Sequence, residues 1–247
     1  MRACHLLLAA ALLSTVLPVP AAAQDTLRVA ASAAWNMPYG KIQGDRLVAG
    51  IVLDLYAALA QKSGLTLATV VLPRKRIDGA VANGEIDLRC HFNPQWTAQP
   101  QAYVWSKPLF TMNDVLFGRE GTPALRSLQD IARGTLVSTT LGYRYPSLDA
   151  LFESGELQRD DSVDEEKVLR KMTVGRTPYG VTNAHALDWY QREVPQHQLA
   201  SWRLVVDSTP IHCAVPKAGA LPAAVLLNAL EELRKTGRID AIVRAYR

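Results

Sequence analysis

The chain has 247 residues, 49% of them hydrophobic, and its 27 lysines and arginines exceed its 23 acids by a formal +4. Basic residues are spread among acids, and no basic run is interleaved with aromatics, which argues against a nucleic-acid footprint. Length and apolar content suffice for one large domain or for two lobes of ordinary size.

The amino terminus reads as a secretory signal. Met1-Arg2 is a short basic start, residues 5–19 are almost wholly apolar, and Pro20-Ala21-Ala22-Ala23 supplies small residues before Gln24-Asp25, so cleavage is expected after Ala23. A membrane anchor fits less well, because the apolar run falls short of the roughly 18 residues a spanning helix needs. Cys4 precedes the apolar stretch and so does not mark a lipid-modified cut. Loss of Arg2 with residues 1–23 lowers the formal charge from +4 to +3, and a soluble mature protein is expected.

Apolar spacing and breakers then predict elements in turn. Residues 27–31 form a buried strand, and a loop carrying Trp35, Asn36 and Tyr39 follows. Ile51, Leu55 and Leu59 recur at helical spacing, with Val52 and Tyr56 on the same core face and Gly64 as the stop. Residues 65–72 are rich in β-formers and end at Pro73, residues 76–82 make a short helix closed by Asn83-Gly84, and residues 86–91 are a third strand. Strand and helix alternate here, as in a parallel sheet whose carboxyl ends take small ligands.

The rhythm restarts after Phe110. Leu125, Leu128 and Ile131 predict a helix ending near Gly134, residues 136–139 a strand, and Leu148, Leu151 and Phe152 a helix before Gly155. Ser162-Val163-Asp164-Glu165 has the spacing of a capping box opening a helix to about Thr173. Residues 179–182 form a strand, and Asn183 caps a helix through Trp189. Residues 204–206 and 211–215 read as two strands, and helices from about 221 to 236 and from Ile239 are separated by Gly237.

Once the signal is removed, only Cys90 and Cys213 remain in a chain bound for an oxidising compartment, which licenses a disulfide without showing that the two are neighbours. The competing reading is a metal site from Cys90, His91, His212 and Cys213. Adjacent strand residues point to opposite faces, the spacing matches no usual zinc pattern, and His185 and His197 are scattered, so no metal is expected.

The mature chain, residues 26–247, resembles the extracellular solute-binding proteins of ABC importers, in the class that includes polar amino-acid binders. The marks are Leu27-Arg28-Val29, Gly50-Ile51-Val52-Leu53-Asp54, Asn83-Gly84-Glu85-Ile86-Asp87 and Trp105-Ser106-Lys107-Pro108-Leu109-Phe110. Ala214-Val215-Pro216-Lys217 follows, and then residues 230–240, with Gly237 before Arg238-Ile239-Asp240. The resemblance implies an α/β, two-lobed, type II periplasmic-binding-protein-like fold, with a doubly wound sheet in each lobe and two hinge crossovers. Lobe one is residues 24–110 plus the return segment 211–247, and lobe two is residues 111–210. The return brings Cys213 back beside lobe one. Also implied are a ligand held in the cleft by hinge closure, no cofactor, a periplasmic monomer, and an ABC permease in the inner membrane or a sensor receptor as partner.

Two positions depart from that pattern. The arginine that clamps a substrate carboxylate in such proteins corresponds to Gln99, and the acid that pairs with the substrate ammonium corresponds to Asn183. With both anchors turned into amides, an ordinary amino acid would be desolvated without opposite charges. Replacement groups nearby are Tyr143 and Arg144 in lobe two, and Trp35, Tyr39, Arg74, His91, Phe92 and Asn93 in lobe one, with Trp96 in the same loop. They suggest an organic anion with a flat or apolar portion. Arg76, Trp105 and Tyr56 read as structural. No Gly-x-Ser-x-Gly, phosphate loop or His-Glu-x-x-His occurs, and nothing places Glu153, Glu156 or Asp160-Asp161 in the cleft. Binding without catalysis is therefore expected, with a dehydratase-like enzyme on the same fold as the alternative.

Overall fold

The computed structural model describes residues 25–247; the expected signal segment and its cut lie outside them. Lobe one begins with β1 (Thr26–Ser32), a hairpin of β2 (Lys41–Gln43) and β3 (Arg46–Ala49), helix α1 (Ile51–Ser63) and β4 (Thr66–Leu72). Strands β1 and β4 run parallel, from Thr26 beside Thr66 to Ser32 beside Leu72. Helix α1 buries Ile51, Val52, Leu55, Tyr56 and Leu59 and stops where Gly64 turns left-handed, its N–H reaching the Ala60 and Gln61 carbonyls. Gly50 before it is obligatory, since at φ 117 a Cβ would sit 2.6 Å from the Tyr39 carbonyl oxygen.

Helix α2 (Arg74–Ala82) leads to β5 (Arg89–Phe92). The predicted third strand begins later than Ile86, because Asp87 accepts from the Arg28 backbone N–H at 2.8 Å and from its guanidinium at 2.9 and 2.6 Å. A parallel bridge pairs Val29 with Leu88, and the Ala30 N–H donates to the Leu88 carbonyl at 3.1 Å. Tyr56 donates to the Ala30 carbonyl at 2.8 Å and accepts from the Cys90 N–H at 2.9 Å, tying α1 to both.

After β6 (Tyr103–Trp105), β7 (Phe110–Arg119) runs antiparallel to β11 (Leu199–Pro216), with Phe110 opposite Ile211 and Arg119 opposite Leu199. These two strands pass through both lobes. Met112 and Ile211 pack in the lobe-one core, whereas Val115, Leu116 and Val206 pack in lobe two. Beyond the crossing lie β8 (Thr135–Thr140), α3 (Pro146–Glu153), β9 (Leu157–Ser162), α4 (Glu165–Thr173), β10 (Tyr179–Asn183) and α5 (Ala184–Glu193). The lobe-two strand order is β9-β8-β10-β7-β11. Val115 and Phe117 of β7 face one layer and Leu116 the other, as expected for a sheet covered on both sides. Helices α6 (Ala223–Lys235) and α7 (Arg238–Arg244) return against α1 in lobe one.

Three sequence expectations are corrected, and one strand is added. Residues 125–131 form a single 3-10 turn, Leu128–Asp130, whose apolar side chains lean on the lobe-two core without a full helical stripe. The two short strands 204–206 and 211–215 are parts of one 18-residue strand, β11. Ser162 closes β9, and the cap of α4 is Asp164, whose carboxylate accepts from the Lys167 N–H at 2.8 Å. Strand β9, with the polar sequence LQRDDS, carries no apolar alternation by which its sequence would show it. It forms the sheet edge, where charged side chains are favoured.

Cys90 and Cys213 are joined in a disulfide, both side chains fully buried, linking β5 to β11. The four-residue metal reading thereby loses both sulfur ligands.

Candidate functional site

The carboxyl ends of β1, β4, β8 and β10 converge between the lobes. From the loop after β1, Tyr39 is 3% exposed and crosses to lobe two, donating to Asn183 Oδ1 at 3.1 Å and lying 2.9 Å from His185 Nδ1. Asn183 caps α5 by accepting from the Ala186 N–H at 2.8 Å, which fixes its oxygen toward Tyr39. Its amide nitrogen donates to Glu165 Oε1 at 2.5 Å. Because the single tyrosine proton goes to Asn183, His185 must donate from Nδ1, leaving Nε2 to accept from the Arg247 guanidinium at 3.2 Å. Burial and then Arg247 lower the His185 pKa to about 4, so the ring is neutral, as this tautomer requires.

His91 stacks on Tyr39 with centroids 4.1 Å apart and meets Trp35 and Trp96 edge-on at 5.8 and 6.2 Å. It holds a left-handed backbone, φ 53, a region sparsely populated by residues other than glycine. Burial, followed by the nearby His185, Arg74 and Arg89, lowers its pKa to about 3. Its Nε2 is buried with no hydrogen-bond partner.

Across the cleft the Arg74 guanidinium lies 6.0 Å from the centre of the Tyr143 ring, so these two face each other from opposite lobes. The Glu165 carboxylate first, then burial, pushes the Tyr143 hydroxyl well above its ordinary value. Arg144 is not brought to this cluster: its side chain is 79% exposed and pairs with Asp149 at 2.8 Å. Phe92 lies in the lobe-one core, packed on Tyr103 and Trp105 beneath the Arg89 guanidinium 3.5 Å from its ring. Asn93 is buried, donates to the Pro210 carbonyl at 2.8 Å and accepts from the Gln95 N–H at 2.8 Å, a bracing role on the crossing strand. Gln99 is exposed.

Four residues that the sequence does not single out for the site complete the cluster: His185, Glu165, Asp114 and Asp207. Register places Asn183 and Asp207 on either side of Asp114. Burial first, then Glu165 and Asp207, raises the Asp114 pKa to about 7, and burial raises that of Glu165. An acid directly preceding the apolar run Val115–Phe117 is the signal that could have found Asp114. Among the described residues no group of three or more His, Cys, Asp or Glu side chains is arranged to hold a metal ion.

A family model for bacterial extracellular solute-binding proteins, family 3, matches residues 27–247. An ancestral arginine-binding protein bound to arginine is 22% identical, covering 90% of this chain and 98% of its own, with a TM-score of 0.70. An ancestral amino-acid-binding protein described as a precursor of cyclohexadienyl dehydratase gives 19% identity, 90% and 95% coverage and a TM-score of 0.69. A histidine kinase sensor domain with similarity to periplasmic binding proteins gives 20%, 90% and 96%, and 0.69. At these identities the likeness shows the fold. Among curated proteins, the membrane-bound lytic murein transglycosylase F of Shewanella pealeana is 28% identical over 120 residues, 47% of this chain. The match spans only 25% of that protein's length.

Proposed function

Because the chain belongs to the bacterial extracellular solute-binding proteins of family 3, we propose that it captures a small polar organic solute between its lobes and delivers it to an ABC permease in the inner membrane. The observation that carries this reading is the Tyr39 bridge to Asn183 and His185. These bonds exist only when the lobes are together, so a solute touching both lobes shifts the population toward that arrangement. In this reading residues 1–23 are a cleaved signal and the mature protein is a periplasmic monomer that binds without turnover. Asp160 pairs with Lys171 and Arg176, Asp161 with Arg159, and Glu153 faces solvent, so these acids do not serve catalysis, and turnover by the cleft acids Asp114 and Glu165 is the outcome the test below discriminates.

The likeness to a histidine kinase sensor domain favours one second reading, in which a membrane receptor and not a permease reads the closed lobes. Amino acids, bound by several similar proteins, are the first solutes to try. The test is a thermal-shift screen of refolded protein against amino acids, amines, organic acids and sugars, since a ligand of the native state raises Tm by mass action. A shift of several degrees with at least one class is expected. No shift across the panel overturns the binding reading, and product formation from prephenate-like acids replaces it with catalysis.

A further inference from the structure

Helix α5 carries two stripes with different neighbours. Ala186, Leu187 and Tyr190 enter the lobe-two core. His185, Trp189 and Arg192, spaced i, i+4 and i+7, form a second stripe beside it, along which the Arg192 guanidinium lies 4.3 Å from the centre of the Trp189 ring. That stripe meets Tyr246 and Arg247 of lobe one. The Tyr246 ring lies against Trp189 with centroids 5.7 Å apart and planes tilted by 35°. Arg192 donates to the Arg247 backbone oxygen at 2.9 Å, and the Arg247 guanidinium donates to His185 Nε2 at 3.2 Å.

Tyr246 and Arg247 are themselves mounted firmly on lobe one. Their backbone N–H groups reach the Val243 and Arg244 carbonyls at 3.3 Å, continuing the turn that ends α7. The Tyr246 side chain packs on the lobe-one core, and its hydroxyl donates to Asp54 at 2.9 Å and accepts from the Gly50 N–H at 3.3 Å. One end of this tyrosine is therefore fixed in lobe one while its ring rests on a tryptophan of lobe two. Parting the lobes would separate two half-buried aromatic rings and break the bond from Arg192, contacts that favour the closed arrangement.

We propose that Tyr246 and Arg247 are a strap that fastens lobe one to α5 of lobe two and keeps a standing share of the protein closed without solute. The strap rests on contacts between the lobes alone and so goes beyond the solute-binding reading. It meets the Tyr39 bridge at one ring, since His185 bonds Tyr39 through Nδ1 and Arg247 through Nε2. Trp189, Arg192 and Tyr246 act by position, through the balance between open and closed lobes. A ligand that needs the closed lobes binds with an apparent dissociation constant that falls as their resting share rises. Loosening the strap therefore weakens every such ligand by the same factor, whatever its chemistry.

The test is small-angle scattering of refolded, solute-free protein carrying Trp189→Ala or Arg192→Ala, each alone and combined with Tyr39→Phe, with far-UV circular dichroism to check the fold. Arg192 is exposed, so its variant keeps the question open to measurement should Trp189→Ala fold poorly. The radius of gyration rises above that of the matching parent in at least one of the two backgrounds. An unchanged radius in both, with the fold intact, overturns the strap. Because no solute is present, failure of the solute-binding reading would leave these radii as they are, and the two ideas fail separately.

Discussion

Asp114 couples the site to pH. Its native pKa of about 7 lies above the ordinary carboxylate value, so between about pH 4 and 7 the native state binds a proton that the unfolded chain has released. Stability from this group is therefore full at low pH and is lost as pH rises through 7. His91 and His185 act oppositely: their pKa values, about 3 and about 4, lie below the unfolded value, so stability falls as pH drops from about 6.5 and protons bind the unfolded chain. The terms overlap in wild type and separate in a difference. The Tm of Asp114→Asn minus that of wild type should grow from pH 4 to pH 8 in the absence of solute; a flat difference would show that Asp114 is not held protonated. At this scale the sequence was legible where the interaction is local. Asn183 caps the helix it begins, three residues from its partner Ala186, as its residue type and place in the sequence predict. Its bond to Tyr39, 144 residues away, leaves no trace in spacing.

Among the elements, the disulfide between β5 and β11 has the clearest energetic consequence. It closes a loop of sequence separation 123, and removing such a link costs about 2–5 kcal/mol, or roughly 4–20 °C in Tm for a chain of this size. Thiol titration of denatured, unreduced protein lacking the amino-terminal segment should find no reactive cysteine. Two free thiols would contradict the bond. The start of α4 offers a finer test: Asp164→Ala should lower stability by about 1 kcal/mol, because it removes the acceptor of the Lys167 N–H. Ser162 and Asp164 both fit a capping pattern, and what separates them is that Ser162 is consumed by the edge strand β9, whose polar sequence hides it. Strong apolar periodicity made α1, β1 and β4 legible to within a residue or so, whereas β11, bent by register shifts near Leu199–Arg203 and Val205–Asp207, reads as fragments because its alternation is broken twice.

For the molecule as a whole, the Tyr39 hydroxyl joins the lobes through direct side-chain bonds to Asn183 and His185, beside the Arg247 contact to His185. Tyr39→Phe leaves the ring stacked on His91 while removing a donor to Asn183 and an acceptor for His185, which destabilises the lobes-together arrangement by about 1–3 kcal/mol. Small-angle scattering should then report a larger radius of gyration for the variant without solute, and an unchanged radius would assign closure to other contacts. The position of the two central acids has a mechanical meaning. Asp114 and Asp207 face each other where β7 and β11 leave one core for the other, which is the fulcrum of the clamp. A force applied at a fulcrum moves its own atoms little, yet it sets the angle of both arms. If the lobes move about this crossing, a small change of angle between β7 and β11 becomes a large displacement at the distant rims.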